Sequence, residues 1–169
     1  MIEKSDLTDL IRVMNEKDNN YYLSADITKL TLPRNIRFFM RDCKASQMGK
    51  SMHNPFMLIF NFETSAGVIL DDKIIRLDPG KALLIFPNQF HHYSLLENKK
   101  LLWLFCAFEL KDFSHIKGLK NTPVPFNAEI VSNLYFILNK YTEGINKKWI
   151  PYFTRQIAAR VNLLLEQLL

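Results

Sequence analysis

The sequence predicts a mainly β protein: an antiparallel sandwich or barrel followed by two C-terminal α-helices. Three observations carry this expectation. Short segments rich in β-branched, aromatic and aliphatic residues follow one another from Ile36 to Leu110, with turn residues between them. Within "IRFFMRDCK" the side chains divide by strand alternation, Arg37, Phe39, Arg41 and Cys43 on one face and Ile36, Phe38, Met40 and Asp42 on the other. Beyond Pro125 the apolar spacing changes to that of helices, with Ile130, Val131, Leu134, Ile137, Leu138 and Tyr141 forming a stripe.

In chain order, Ser5 to Lys17 reads as a short helix. Leu7, Leu10, Ile11, Val13 and Met14 fall near helical spacing, Ser5 can cap it, and Asp6 and Asp9 sit near the positive end of its dipole. Asn19-Asn20 ends it, and Pro33 restricts Leu32 to extended geometry. Strands are then predicted from Ile36 and over 56–62, 67–70, 73–77, 82–86, 91–96 and 101–110. The separators are Ser65-Ala66-Gly67, Asp71-Asp72, Pro79-Gly80, Pro87-Asn88 and Asn98-Lys99-Lys100. Neither face of the first strand is purely polar, so both faces are expected to meet protein. Closing these apolar strands into a barrel would also remove exposed edges.

Past Lys111 a polar connector carries Pro123 and Pro125, which do not suit a central strand. Asn127 can cap a helix that Gly144 is expected to stop, and Pro151 suits the first turn of a second. Phe153, Ile157, Val161, Leu164, Leu165 and Leu168 form the second stripe, which runs to the end of the sequence. The expected division is therefore 1–35 as an N-terminal helix and arm, 36–120 as the β-barrel, and 121–169 as a helical element.

The composition narrows the possible classes. With 169 residues, 48% hydrophobic and 23% charged, the chain suits one globular domain with a real core. No apolar run approaches the roughly 20 residues of a membrane helix. The acid-studded N-terminus lacks the layout of a secretory signal, so a cytoplasmic protein is expected. Cys43 and Cys106 form no close pair and read as free thiols. The net charge of +5 is spread out, and permits a nucleic-acid partner without arguing for one.

The segment "LDPGKALLIFPNQFHHYSLL", Leu77 to Leu96, organises the rest. Pro79-Gly80 marks a tight turn, Ala82 to Phe86 is a buried strand too short for a helix, and Pro87-Asn88 closes it before His91. This run resembles the second half of the cupin signature, a double-stranded β-helix. It is most similar to the sensor domain of AraC-type bacterial transcription regulators. Pro79, Gly80, Ala82, Leu83, Leu84, Ile85, Pro87 and His91 stand at matching places, and Asn88 replaces the usual glycine. The resemblance covers roughly Arg37 to Leu169 and is only architectural in the helices. It implies a cupin-like antiparallel β-barrel followed by two helices, binding a small effector, often a sugar. It further implies a homodimer coupled through Phe153, Ile157, Val161, Leu164, Leu165 and Leu168. DNA would be read by a helix-turn-helix half that this sequence lacks.

Candidate ligand-binding residues are His91, Trp103, Arg41, Arg37, Phe105, Glu109 and His53. A neutral imidazole offers one donor and one acceptor, which suits hydroxyl-rich molecules, although His91 could equally just close a turn. His92 points the other way, so at most one of the two faces inward. In "LLWLFCAFEL" either Trp103, Phe105, Ala107 and Glu109 look into the barrel, or Leu102, Leu104, Cys106 and Phe108 do. In the first case an indole and a carboxylate share a sugar-like site; in the second, Trp103 packs toward the helices. Arg37 and Arg41 share a face and would favour an anionic or polyhydroxyl ligand, or else form a surface pair. Met40, Met57, Phe60 and Phe62 are expected in the core.

No metal and no cofactor are expected. A metal-bearing cupin uses histidines and a carboxylate, whereas His53 is the single histidine of the earlier segment and Glu63 lies too far along. No nucleophile elbow or phosphate loop is present. The expectation is a non-catalytic sensing and dimerisation module. The rivals are a metal-free cupin enzyme, such as a sugar isomerase or epimerase with His91 as base and Glu109 as acid, and a purely structural dimer module.

Overall fold

The computed structural model describes residues 31–41, 52–95, 101–146 and 151–169. Thr31–Leu169 forms one compact unit; the other unit, Met1–Leu30, lies outside the described residues, as do the predicted Ser5–Lys17 helix and Cys43. Among the described residues there are eight strands: β1 (Arg34–Arg41), β2 (Phe56–Asn61), β3 (Ala66–Leu70), β4 (Lys73–Leu77), β5 (Lys81–Ile85), β6 (His91–Leu95), β7 (Trp103–Glu109) and β8 (Val124–Pro125). A 3-10 turn at Lys117–Leu119 precedes β8, and the helices are α1 (Ala128–Asn146) and α2 (Pro151–Gln167). The predicted strands fall within a residue or two of those observed, the usual precision for element ends.

The strands form two antiparallel sheets, one ordered β1-β7-β2-β5-β8 and the other β4-β3-β6. Register decides which side chains lie between them. Phe39 is opposite Phe105, which is opposite Ile59, which is opposite Leu83. These residues share one face and pack with Val68, Leu70, Ile75, Leu77, Tyr93 and Trp103, a cluster drawn from both sheets. The alternate residues Phe38, Leu58, Leu84, Leu104, Cys106 and Phe108 face the other way and form a second core with the helices. The large sheet is thus apolar on both faces, which explains the unbroken "ALLIF" and "LLWLFC" runs. Burial also pushes the Cys106 thiol up, out of reach of ordinary ionisation.

Turn chemistry sets the connections. Gly80 has φ 78°, and its N–H donates to Asn61 O at 2.8 Å. Asn88 has φ 63°, so the residue in the usual glycine place does adopt the left-handed region. The fully buried Asn61 joins two turns, with Nδ2 donating to Thr64 O at 3.0 Å and Leu77 O at 2.8 Å. Gln89 makes a second clasp: Oε1 accepts from Phe86 N at 2.8 Å, while Nε2 donates to Asp71 Oδ2 at 3.2 Å and Asn121 Oδ1 at 2.9 Å. β8 with its Pro125 is a two-residue edge, the place where a missing backbone donor does least harm.

Asn127 caps α1, its Oδ1 accepting from Ile130 N at 3.0 Å. Gly144 does not stop this helix; it lies within the final turn, and the helix continues to Asn146. Met40 and Phe62, expected in the core, are 58% and 39% exposed. Phe62 follows the end of β2, and Met40 lies near the end of an edge strand, where neither helix nor second sheet covers it.

The stripe of α2 packs within the chain: Ile157, Val161, Leu164, Leu165 and Leu168, the residues expected to couple two subunits, are each at most 3% exposed. They pack with Ile130, Leu134 and Ile137 of α1 against Leu58, Leu84 and Leu104 of the large sheet. A helical stripe next to an apolar sheet face buries itself locally, gaining about 1.5–3 kcal/mol per large side chain without a partner. The side chain of Phe153 lies outside those described.

Candidate functional site

His53 precedes β2, and its carbonyl accepts a hydrogen bond from Asn88 N at 3.0 Å, in the turn before β6. That bond brings the start of β2 alongside the start of β6, where His91 pairs in register with Leu70 of β3. The two imidazoles lie 4.7 Å apart, centre to centre, with 60° between their planes. His53 Nδ1 is 2.8 Å from Pro55 O, and His91 Nδ1 is 3.2 Å from Gln89 O. A carbonyl only accepts, so both bonds place the ring proton on Nδ1 and leave Nε2 as an acceptor. His53 Nε2 is buried and has no hydrogen-bond partner among the described residues. His91 is 2% exposed. Burial holds its pKa below the ordinary 6.5, outweighing the Gln89 carbonyl, and the nearby His53 pushes the same way.

From His91 an aromatic file runs between the sheets. Tyr93 is 5.5 Å from His91 and 5.4 Å from Trp103, both edge-on, and Phe105 stacks on Phe39 at 4.9 Å. Trp103 and Phe105 therefore take the inward alternative, while Leu104, Cys106 and Phe108 face the helices. Trp103 is completely buried, yet its indole N–H has no partner among the described residues.

The other predicted residues are more scattered. Arg37 is exposed, with its guanidinium 5.8 Å from the Phe39 ring centre. Arg41 stands opposite Trp103 in register, but its side chain lies outside those described. Glu109 is exposed at the end of β7, opposite Arg34. His92 is only half-buried and alternates away from His91 and Tyr93. Elsewhere, a surface cleft of about 250 Å³ between the start of β1 and α2 is lined by Pro33, Arg34, Asn35, Ile36, Thr154 and Ile157. None of the predicted ligand residues lines it.

No family model matches this chain, and no curated protein resembles it in sequence. Solved structures similar to it include a cupin 2 domain-containing protein from Halorhodospira halophila, 17% identical with TM-score 0.34, matched over 59% of this chain and 70% of that one. Another is the polyketide cyclase RemF from Streptomyces resistomycificus, 14% identical with TM-score 0.33, over 57% and 82%. A third is a point mutant of the Bacillus subtilis oxalate decarboxylase OxdC, 14% identical with TM-score 0.33, over 71% and 27%. The structure itself shows the mainly β arrangement, two antiparallel sheets followed by two helices, that the sequence predicts. Enzymes occur among these similar structures, and the expectation of a non-catalytic protein is withdrawn.

A cupin-like sheet pair raises the question of an ion. Among the described residues, no three His, Cys, Asp or Glu side chains come together as a metal-binding group. Two imidazoles without a carboxylate fall short of the three or four protein ligands such ions usually take, so the described donor set does not fit one.

Sequence reasoning named both histidines but not their contact, because the bond between Asn88 N and His53 O that aligns them is a backbone event. It also passed over Tyr93 and Phe39 as site residues. Strand alternation from His91 and from Arg37 contained the signal for both. No helix among the described residues is long and apolar enough to cross a membrane.

Proposed function

We propose that this cupin-like chain is the effector-sensing part of an AraC-type transcription regulator, taking a small hydroxyl-bearing molecule beside His53 and His91. The carrying observation is the pair of imidazoles with fixed tautomers, one holding a buried unpartnered acceptor, next to an aromatic file. His53 is the entry side: it is half-buried, between exposed Met52 and Asn54. The aromatic rings of Tyr93 and Trp103 offer faces for C–H groups while the imidazoles take hydroxyls. The Pro79-Gly80 to His91 run supports the regulator family by resemblance.

A ligand held between the sheets would be reported through the large sheet, whose other face carries α1 and α2. It must bind one pose of the helices better than another for any signal to pass. A DNA-reading half belongs to this proposal as a separate part of the regulator. Thermal-shift screening against sugars and other small polyols tests the sensing role. Stabilisation by a polyol, lost in His91→Ala, is expected; no response across the panel would defeat the proposal.

A second reading, favoured by the buried and neutral His91, is catalysis with that imidazole as general base. Glu109 does not serve as its acid here, being exposed at the end of β7. Turnover of a screened sugar that disappears in His91→Ala would favour this reading over sensing.

A further inference from the structure

We propose that His53, seated against His91, forms an acceptor-only subsite that takes a hydrogen-bond-donating group, a hydroxyl or an alkylammonium, and turns away carboxylates and phosphates. This deepens the proposed sensing role and rests on it. Pro55 O and Gln89 O each occupy an Nδ1–H, at 2.8 and 3.2 Å, so neither ring can present that proton to a ligand. In this tautomer the Nε2 of His53 carries a lone pair. His53 Nε2 is buried and lacks a partner among the described residues, so it is an acceptor awaiting a donor.

An anion would bring lone pairs against lone pairs. Accepting one would require protonating a ring, and the burial of His91 opposes its charged form. Aromatic neighbours suit either donor class: Tyr93 stands 5.5 Å from His91, and ring faces receive both C–H groups and alkylammonium cations.

Long-range proton–nitrogen NMR of the 169-residue chain at mildly alkaline pH tests the subsite. The probes are glycerol, ethylammonium and, as an acceptor-only control, acetate. The expected result is an Nδ1–H tautomer at His53 and an Nε2 resonance that moves with glycerol or ethylammonium and stays put with acetate. Which donor acts separates hydroxyl from ammonium recognition. The proposal is overturned by a proton found on His53 Nε2, by an acetate shift as large as the donors', or by silence toward both donors. His53→Phe keeps a ring against His91 and should abolish the response; should it not fold, the measurements on the unaltered chain decide. A polyol whose thermal stabilisation survives His53→Phe would leave sensing intact and sink this subsite. A donor-selective NMR response without any hit in the thermal screen would do the reverse.

Discussion

The imidazoles of His53 and His91, which come from separate segments of the sequence, sit 4.7 Å apart because Asn88 N bonds to His53 O. One backbone hydrogen bond thereby turns two separate histidines into a pair. Only one of them, His91, is nearly completely buried.

That burial has a pH consequence. The folded pKa of His91 lies below the unfolded value near 6.5, so the unfolded chain takes up this proton first. Its neutral ring contributes full stability above the unfolded pKa. Stability then declines as pH falls from there toward the folded pKa. Urea midpoints measured across this window should fall in the unaltered protein and flatten in His91→Gln. An equally steep fall in the variant would assign the proton uptake to another group.

Trp103 separates packing from hydrogen bonding. Trp103→Ala should cost about 3–5 kcal/mol, because a fully buried indole leaves a cavity among Tyr93 and Phe105. Trp103→Phe should cost distinctly less, since it also removes the unpartnered N–H. Chemical denaturation compares the two; equal losses would mean that the N–H has a bond in solution.

Gln89 holds three segments with one side chain. Gln89→Leu keeps most of the volume but strands Phe86 N, and should destabilise the fold by about 1–3 kcal/mol. Hydrogen exchange at Phe86 should accelerate in the variant; unchanged protection there would remove the clasp from the account.

The α2 stripe predicts unfolding rather than dissociation. Leu165→Asp places a charge at a fully buried position and should cost about 4 kcal/mol or more. Leu163→Asp, at a position 41% exposed, should be mild. Light scattering with circular dichroism distinguishes the cases, and a folded monomer produced by Leu165→Asp would support the subunit-coupling role instead.

Much of the fold was legible locally. Strand positions followed from alternation and turn residues, Asn127 announced its cap, and Asn88 accepted the left-handed backbone that its short amide side chain tolerates. The misjudged residues are Met40 and Phe62, which read as core because hydrophobicity says that a side chain prefers burial and not which surface provides it.

The sequence by itself determined the order of strands and helices, their turns, and the residue types capable of binding, since each follows from contacts a few residues long. Only the tertiary structure decided that Trp103 looks between the sheets, that α2 is consumed by its own sheet, and that His53 meets His91. Each of these depends on strand register and layer packing between segments distant in the chain, and a one-residue slip in register would reverse every face.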